Sequence, residues 1–105
     1  MLEQISGCIR GGDYLYTRHA IHEMETEELG EIMDHEVVEA VLNGKIIEDY
    51  PEDTPYPSCL VYGRTSEERP LHAVCAYAAD IEQVIIITAY EPSPGQWIDF
   101  ERRRG

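Results

Sequence analysis

Cations are scarce in this chain. Eight Lys and Arg stand against 21 Asp and Glu over 105 residues, a formal charge of −13 with neutral histidines. Broad phosphate-neutralising capture of nucleic acid needs Lys and Arg in excess, so that mode is excluded and no DNA partner is expected. Long apolar runs are missing too. None approaches the roughly 20 residues that span a bilayer, and the start of the chain lacks a basic stretch followed by an apolar one, so a cytoplasmic protein without membrane contact is expected. The cysteines, Cys8, Cys59 and Cys75, are odd in number, widely spaced and without a C-x-x-C, which excludes a disulfide framework and a local zinc knuckle. There is no phosphate-cradling glycine loop, no G-x-S-x-G and no H-E-x-x-H. A chain this short buries about two-thirds of its unfolded surface, enough for one core, which excludes a multidomain enzyme.

What is present is unevenly placed. Residues 22–53 hold twelve acids against Lys45 alone, net −11, while residues 1–21 and 91–105 are each neutral. The acidity therefore belongs to one central third and leaves room for a small basic pocket elsewhere.

Apolar periodicity is helical at first. Leu2, Ile5 and Ile9 predict a short amphipathic helix over 1–12, stopped by Gly11-Gly12, and Tyr14-Leu15-Tyr16 reads as an extended link. Thr17 caps a second helix through about Leu29, with Glu23, Glu27 and Glu28 mostly outward; Asp34 caps a third, striped by Val37, Val38, Val41 and Leu42 and ended by Asn43-Gly44. After Gly44 the pattern becomes extended. Strands are predicted over 45–50, 58–63, 71–78 and 83–90, separated by a proline-stiffened loop, a charged turn at 64–69 and a turn near Asp80. Leu71, Ala73, Cys75 and Tyr77 share one face of the third strand, and His72, Val74 and Ala76 the other. Val84 to Ile87 mark the fourth as central and buried on both faces. The expected architecture is a single α+β domain with N-terminal helices on one face of a mainly antiparallel four-stranded sheet, its core over 13–97. In the tail, Trp97 is expected to cover an exposed sheet edge within the chain, docking on a partner being the alternative, and Arg102-Arg103-Arg104 to fray into solvent.

Two constellations could carry chemistry. His19, His22 and Glu23 lie at i, i+3 and i+4, so their side chains can converge on a metal ion. Zinc needs at least three protein ligands, and His72 or His35 would have to supply more; the alternative is a helix start with surface residues. Arg69-Pro70-Leu71-His72 places a cation and an imidazole at a strand start, with Thr88 and Tyr90 ending the next strand. Those are components of metal-free phosphodiester cleavage, the imidazole as acid or base and the guanidinium on the phosphate. A semi-buried structural histidine is the alternative. Cys59 and Cys75 read as small buried hydrophobes.

The ordered set Tyr16-Thr17-x-His19-Ala20, Asn43-Gly44-x-Ile46-Ile47-Glu48-x-Tyr50, Tyr56-Pro57-Ser58-Cys59-Leu60, Arg69-Pro70-Leu71-His72, Ile87-Thr88-x-Tyr90-x-Pro92 and Trp97 resembles the family called domain of unknown function 4258. That family resembles a distant branch of the RelE/MqsR-like toxin superfamily. The resemblance implies a RelE-like fold and a metal-independent endoribonuclease, the toxin half of a toxin–antitoxin pair, without cofactor. The implied partners are RNA and a zinc-finger antitoxin-like protein encoded nearby. Carried over by position, it implies His72 or His19 as base and acid, Arg69 on the scissile phosphate, and Thr88 and Tyr90 at the strand end. Two departures stand against it: the acidic charge, and Glu23 where many relatives carry a basic residue. The competing expectations are a non-catalytic acidic protein-binding module and a small metal-binding domain built on His19, His22 and Glu23.

Overall fold

The change of periodicity at Gly44 is where the architecture divides. A computed structural model describes all 105 residues. Before Gly44 lie α1 (Leu2–Gly11), β1 (Tyr14–Tyr16), α2 (Arg18–Glu25) and α3 (Asp34–Leu42); after it come β2 (Lys45–Tyr50), β3 (Ser58–Arg64), β4 (Pro70–Ala78) and β5 (Gln83–Tyr90). The short β6 (Trp97–Ile98) and β7 (Arg102–Arg103) close the chain. No helix is long and apolar enough to cross a membrane.

The sheet has five strands, not the expected four, in the order β1-β5-β4-β3-β2. Tyr14–Tyr16, expected as a link, pairs in parallel with Val84–Ile86, while the other neighbours are antiparallel. Three residues are too few for alternation to separate strand from link. The two tyrosine hydroxyls hold β1 in place by donating to the Asp34 carboxylate, at 2.9 Å from Tyr14 and 2.6 Å from Tyr16. The middle strand is consequently β4. β5 lies one place nearer the edge, with Val84 and Ile86 fully buried and Ile85 and Ile87 only partly so.

All three helices lie on one side of this sheet. Ile5 and Ile9 of α1, Ala20 and Met24 of α2 and Val37, Ala40 and Val41 of α3 meet Cys59, Val61, Leu71, Ala73, Cys75, Val84 and Ile86 in one continuous core. α3 sits directly on β3, because a Cβ on Gly63 would fall 1.8 Å from the Ala40 carbonyl oxygen. Only a residue without a side chain allows that approach.

Thr17 caps α2 as expected, its hydroxyl accepting from the Ala20 N–H at 3.0 Å. The helix ends at Glu25, four residues before Leu29. There the Thr26 hydroxyl donates back to the His22 carbonyl at 2.7 Å, and the Ile32 N–H closes on the Met24 carbonyl at 2.9 Å. Asp34 is the first residue of α3 rather than its cap; Glu36 takes the capping role, accepting from the Met33 N–H at 2.9 Å.

The tail does not fray. β6 and β7 form an antiparallel hairpin on the face opposite the helices, and its turn holds Asp99 (φ 52°) and Phe100 (φ 61°) in the left-handed region. Each such non-glycine residue costs about 1–2 kcal/mol, which the hairpin's side-chain anchors must offset. Trp97 is 3 % exposed and covers the chain's own sheet as expected, but over its face, at His72 of the middle strand, rather than over an edge.

Candidate functional site

Strand alternation puts His72 on the face of β4 away from the helices. Its register partners are Tyr62 on β3 and Tyr90 on β5, which puts His72 and Tyr90 on one face, a relation that the parity of a single strand leaves open. The imidazole is 0 % exposed. Nε2 lies 2.6 Å from the Phe100 carbonyl oxygen and Nδ1 lies 3.0 Å from the Tyr90 hydroxyl. A carbonyl only accepts, so Nε2 carries the proton and Nδ1 accepts from Tyr90 O–H. The Trp97 ring stands edge-on to the imidazole with centroids 4.4 Å apart, and the Tyr62 ring is 5.7 Å away. Burial pushes the His72 pKa below its ordinary 6.5, outweighing the Phe100 carbonyl and the Glu48 charge; burial also pushes Tyr90 up to about 12.

Beside this recess β2 contributes Glu48 and Tyr50. The Glu48 carboxylate accepts from Arg103 Nε at 2.9 Å and Nη2 at 3.1 Å, and from the Tyr50 hydroxyl. The hydrogen bond from Arg103 holds Glu48 below the usual carboxylate range, against the opposing effect of burial. The same guanidinium lies 4.8 Å over the Trp97 ring, and Lys45 pairs with Glu101. An open cleft of about 360 Å³ adjoins the tail, lined by Lys45, Tyr62, Arg64 and Glu68 among others. Arg64 lies 5.7 Å over the Phe100 ring.

Arg69 lies apart from this face. Its Nε donates to Glu91 at 2.6 Å, and Nη1 donates to Glu36 at 3.1 Å and to the Glu31 carbonyl at 3.1 Å. Nη2 donates to the Gly30 carbonyl. Each of the three nitrogens has a partner, tying the loop between α2 and α3 and the first turn of α3 to the strand ends, so a phosphate would compete with two carboxylates for this guanidinium.

His19 lies on α2, 65 % exposed, with Nε2 3.3 Å from Glu23. α2 packs into the helix-side core, and His19 is not a hydrogen-bond partner of His72, whose two ring nitrogens are taken by Tyr90 and Phe100. Nor do His19, His22 and Glu23 assemble a metal site, since no group of three His, Cys, Asp or Glu residues in the molecule could hold an ion. Glu23 instead accepts from the Ala89 N–H at 3.3 Å; Glu27 accepts from the Glu91 N–H at 2.9 Å, and Thr17 donates to the Ile87 carbonyl at 3.0 Å. Where β1 stops, these side chains continue the hydrogen bonding along the free edge of β5, as buried backbone groups require. Thr88 stands opposite Val74, half-buried, on the same face as Tyr90. Cys59 and Cys75 are cross-strand partners, both buried; burial pushes Cys59 up to about 11 and Cys75 higher still, so neither thiol is activated.

Sequence reasoning had Glu48 and Tyr50 in a motif but gave them no place in this site, and missed Tyr62 and Arg103. Tyr62 carried a signal in its strand parity, lying two residues from Leu60 on the face away from the helices. Arg103 carried none, because its partner is 55 residues away.

Fold and site together define a small α+β domain whose sheet is clad by helices on one face and by its own hairpin on the other. The chain belongs to the family described as Domain of unknown function (DUF4258), whose model matches residues 16–91. No curated protein and no solved structure matches the chain.

Proposed function

We propose that this domain works by binding a basic protein partner rather than by catalysis. One observation carries the reading: the groups suited to chemistry are spent inside the fold. Both nitrogens of His72 are hydrogen-bonded in a fully buried ring, and every nitrogen of Arg69 serves the loop and strand ends. The surplus of acid, by contrast, stays available. Glu25 at the end of α2 and Glu28 and Glu31 in the loop to α3 are exposed, and their carboxylates accept nothing within the chain. A strongly acidic patch steers association with a basic partner, an effect that salt weakens.

A second reading, a RelE-like endoribonuclease toxin, is favoured by helices on one side of an antiparallel sheet and by the His72–Tyr90 pair. It needs the tail to leave that face, and it needs a phosphate ligand other than Arg69.

Two measurements separate the readings. A labelled Lys- and Arg-rich model peptide is expected to bind the full chain with an association rate that falls as salt rises. That rate falls further in the triple reversal Glu25→Lys, Glu28→Lys, Glu31→Lys. Incubated RNA is expected to stay intact. Metal-free cleavage by the wild type that His72→Ala or His19→Ala abolishes sinks the binding reading; so does peptide association indifferent to both salt and reversal.

A further inference from the structure

Residues 93–105 cover one face of the sheet without belonging to it. β6 and β7 pair only with each other, and no ladder joins them to the five-stranded sheet. No residue of the continuous core comes from this segment. Side chains hold it instead: Trp97 edge-on to His72, Arg103 on Glu48 and Lys45 on Glu101, with the Phe100 carbonyl on His72 as the backbone anchor. Two of those fastenings are on the surface, with the Arg103 and Lys45 side chains 63 % and 60 % exposed. The family match ends at Glu91. The matched residues thus include the whole covered face, and the cover follows them in the chain, its Trp97 being one of the residues that carry the family resemblance.

We propose that the face formed by Glu48, Tyr50, Tyr62, His72 and Tyr90 is a recognition site for a protein segment presenting an indole and a guanidinium, and that the tail hairpin occupies it in cis. This rests on the reading of the domain as a binding module and names the partner's chemistry. On this face the His72 imidazole, flanked by Tyr62 and Tyr90, takes the indole edge-on, Tyr62 also meets the Phe100 ring, and Glu48 takes a guanidinium through two parallel hydrogen bonds. The tail supplies both groups from one hairpin, with Arg103 stacked on Trp97. Its strained turn and exposed ion pairs keep the closed state shallow. A tethered occupant excludes an external one in proportion to the time the site is closed, so loosening the tail raises affinity for the external segment.

The test uses the full chain and a fluorescently labelled synthetic peptide of residues 93–105 as the external segment. Trp97→Ala and Arg103→Ala are each expected to bind it about tenfold more tightly than the wild type, because the competitor in cis is released. Adding Glu48→Gln to Arg103→Ala reverses that gain. Trp97 is the sole tryptophan, so in the wild type unlabelled peptide made with Phe in place of its Trp should expose Trp97 to a collisional quencher in a saturable way. Arg103 is exposed, which keeps the test intact if Trp97→Ala fails to fold. Peptide binding no tighter than wild type in the folded loosened variants overturns the inference, as does their binding single-stranded RNA and not the peptide. Peptide binding that survives the triple Glu→Lys reversal while the basic model peptide is lost keeps this site and confines the damage to the acidic surface. Model-peptide binding with no response to the tail variants fails this inference alone.

Discussion

On the helix side of the sheet, the cover is apolar and continuous: Ile5, Val37, Val41 and Met24 press on Val61, Cys75, Val84 and Ile86, and Gly63 lets a helix carbonyl touch the strand. On the other side the cover is one hairpin, where a buried indole meets a buried imidazole, Phe100 meets Tyr62 and the remaining fastenings are polar. The first arrangement gains about 1.5–3 kcal/mol for each large apolar side chain it buries, and it comes apart only with the fold. The second relies on ion pairs worth about 1 kcal/mol or less at the surface, plus two aromatic contacts, Trp97 on His72 and Phe100 on Tyr62. A layer held in that way can lift by local opening while the other stays closed. The division of labour is thus between a face that makes the domain stable and a face that can be exchanged.

The largest expected effect breaks the helix side. Gly63→Ala drives a methyl into the Ala40 carbonyl, a clash that no side-chain rotation relieves. Chemical denaturation should show a loss of about 4 kcal/mol or failure to fold. A cost below about 1 kcal/mol, within the range of an ordinary surface change, would show that α3 can slide off β3 freely. Next comes Arg69→Met, which keeps the side-chain volume but leaves Glu36 and Glu91 facing each other without their cation, each under a fifth exposed. A loss of about 3 kcal/mol is expected in the same assay. Arg69→Lys should recover little of it, because a point charge cannot serve two carboxylates and two carbonyls at once. Full rescue by Lys would reduce the site to simple charge balance.

These two residues also show what could be read from the chain alone. Strand alternation placed His72 and Leu71 on opposite faces correctly, because period two is a local property of extended backbone. Thr17 as a cap and Gly11-Gly12 as a helix stop were legible because those signals too are local. Arg69 was not, since its partners lie 22, 33 and 39 residues away and no neighbour in sequence hints at them. Glu23 and Glu27 read as solvated helix positions, but β1 is too short to cover β5 and leaves backbone donors that those two carboxylates satisfy. The tail was misread in its arginines because burial of Trp97 creates the surface on which Arg103 then stacks.

The smallest expected effect sharpens the tail side through pH. His72 is neutral in the fold, with its pKa held down by burial, whereas the unfolded chain binds a proton near the ordinary 6.5. Below that pH the unfolded state carries the extra proton, so the stability His72 contributes is complete above about 6.5 and declines as pH falls toward the folded value. One proton limits the slope to about 1.4 kcal/mol per pH unit. Glu48 also loses its contribution on acidification, but in a lower window, below its ordinary 4.5, so denaturation between about pH 6.5 and 5 isolates the histidine. The decline should be absent in His72→Gln, whose amide does not titrate. Because His72 binds the tail through the Phe100 carbonyl and packs against Trp97, acid should also raise quencher access to Trp97 before far-UV circular dichroism changes. If the two signals move together, the two faces are one cooperative unit, and the contrast between a fixed layer and an exchangeable one fails.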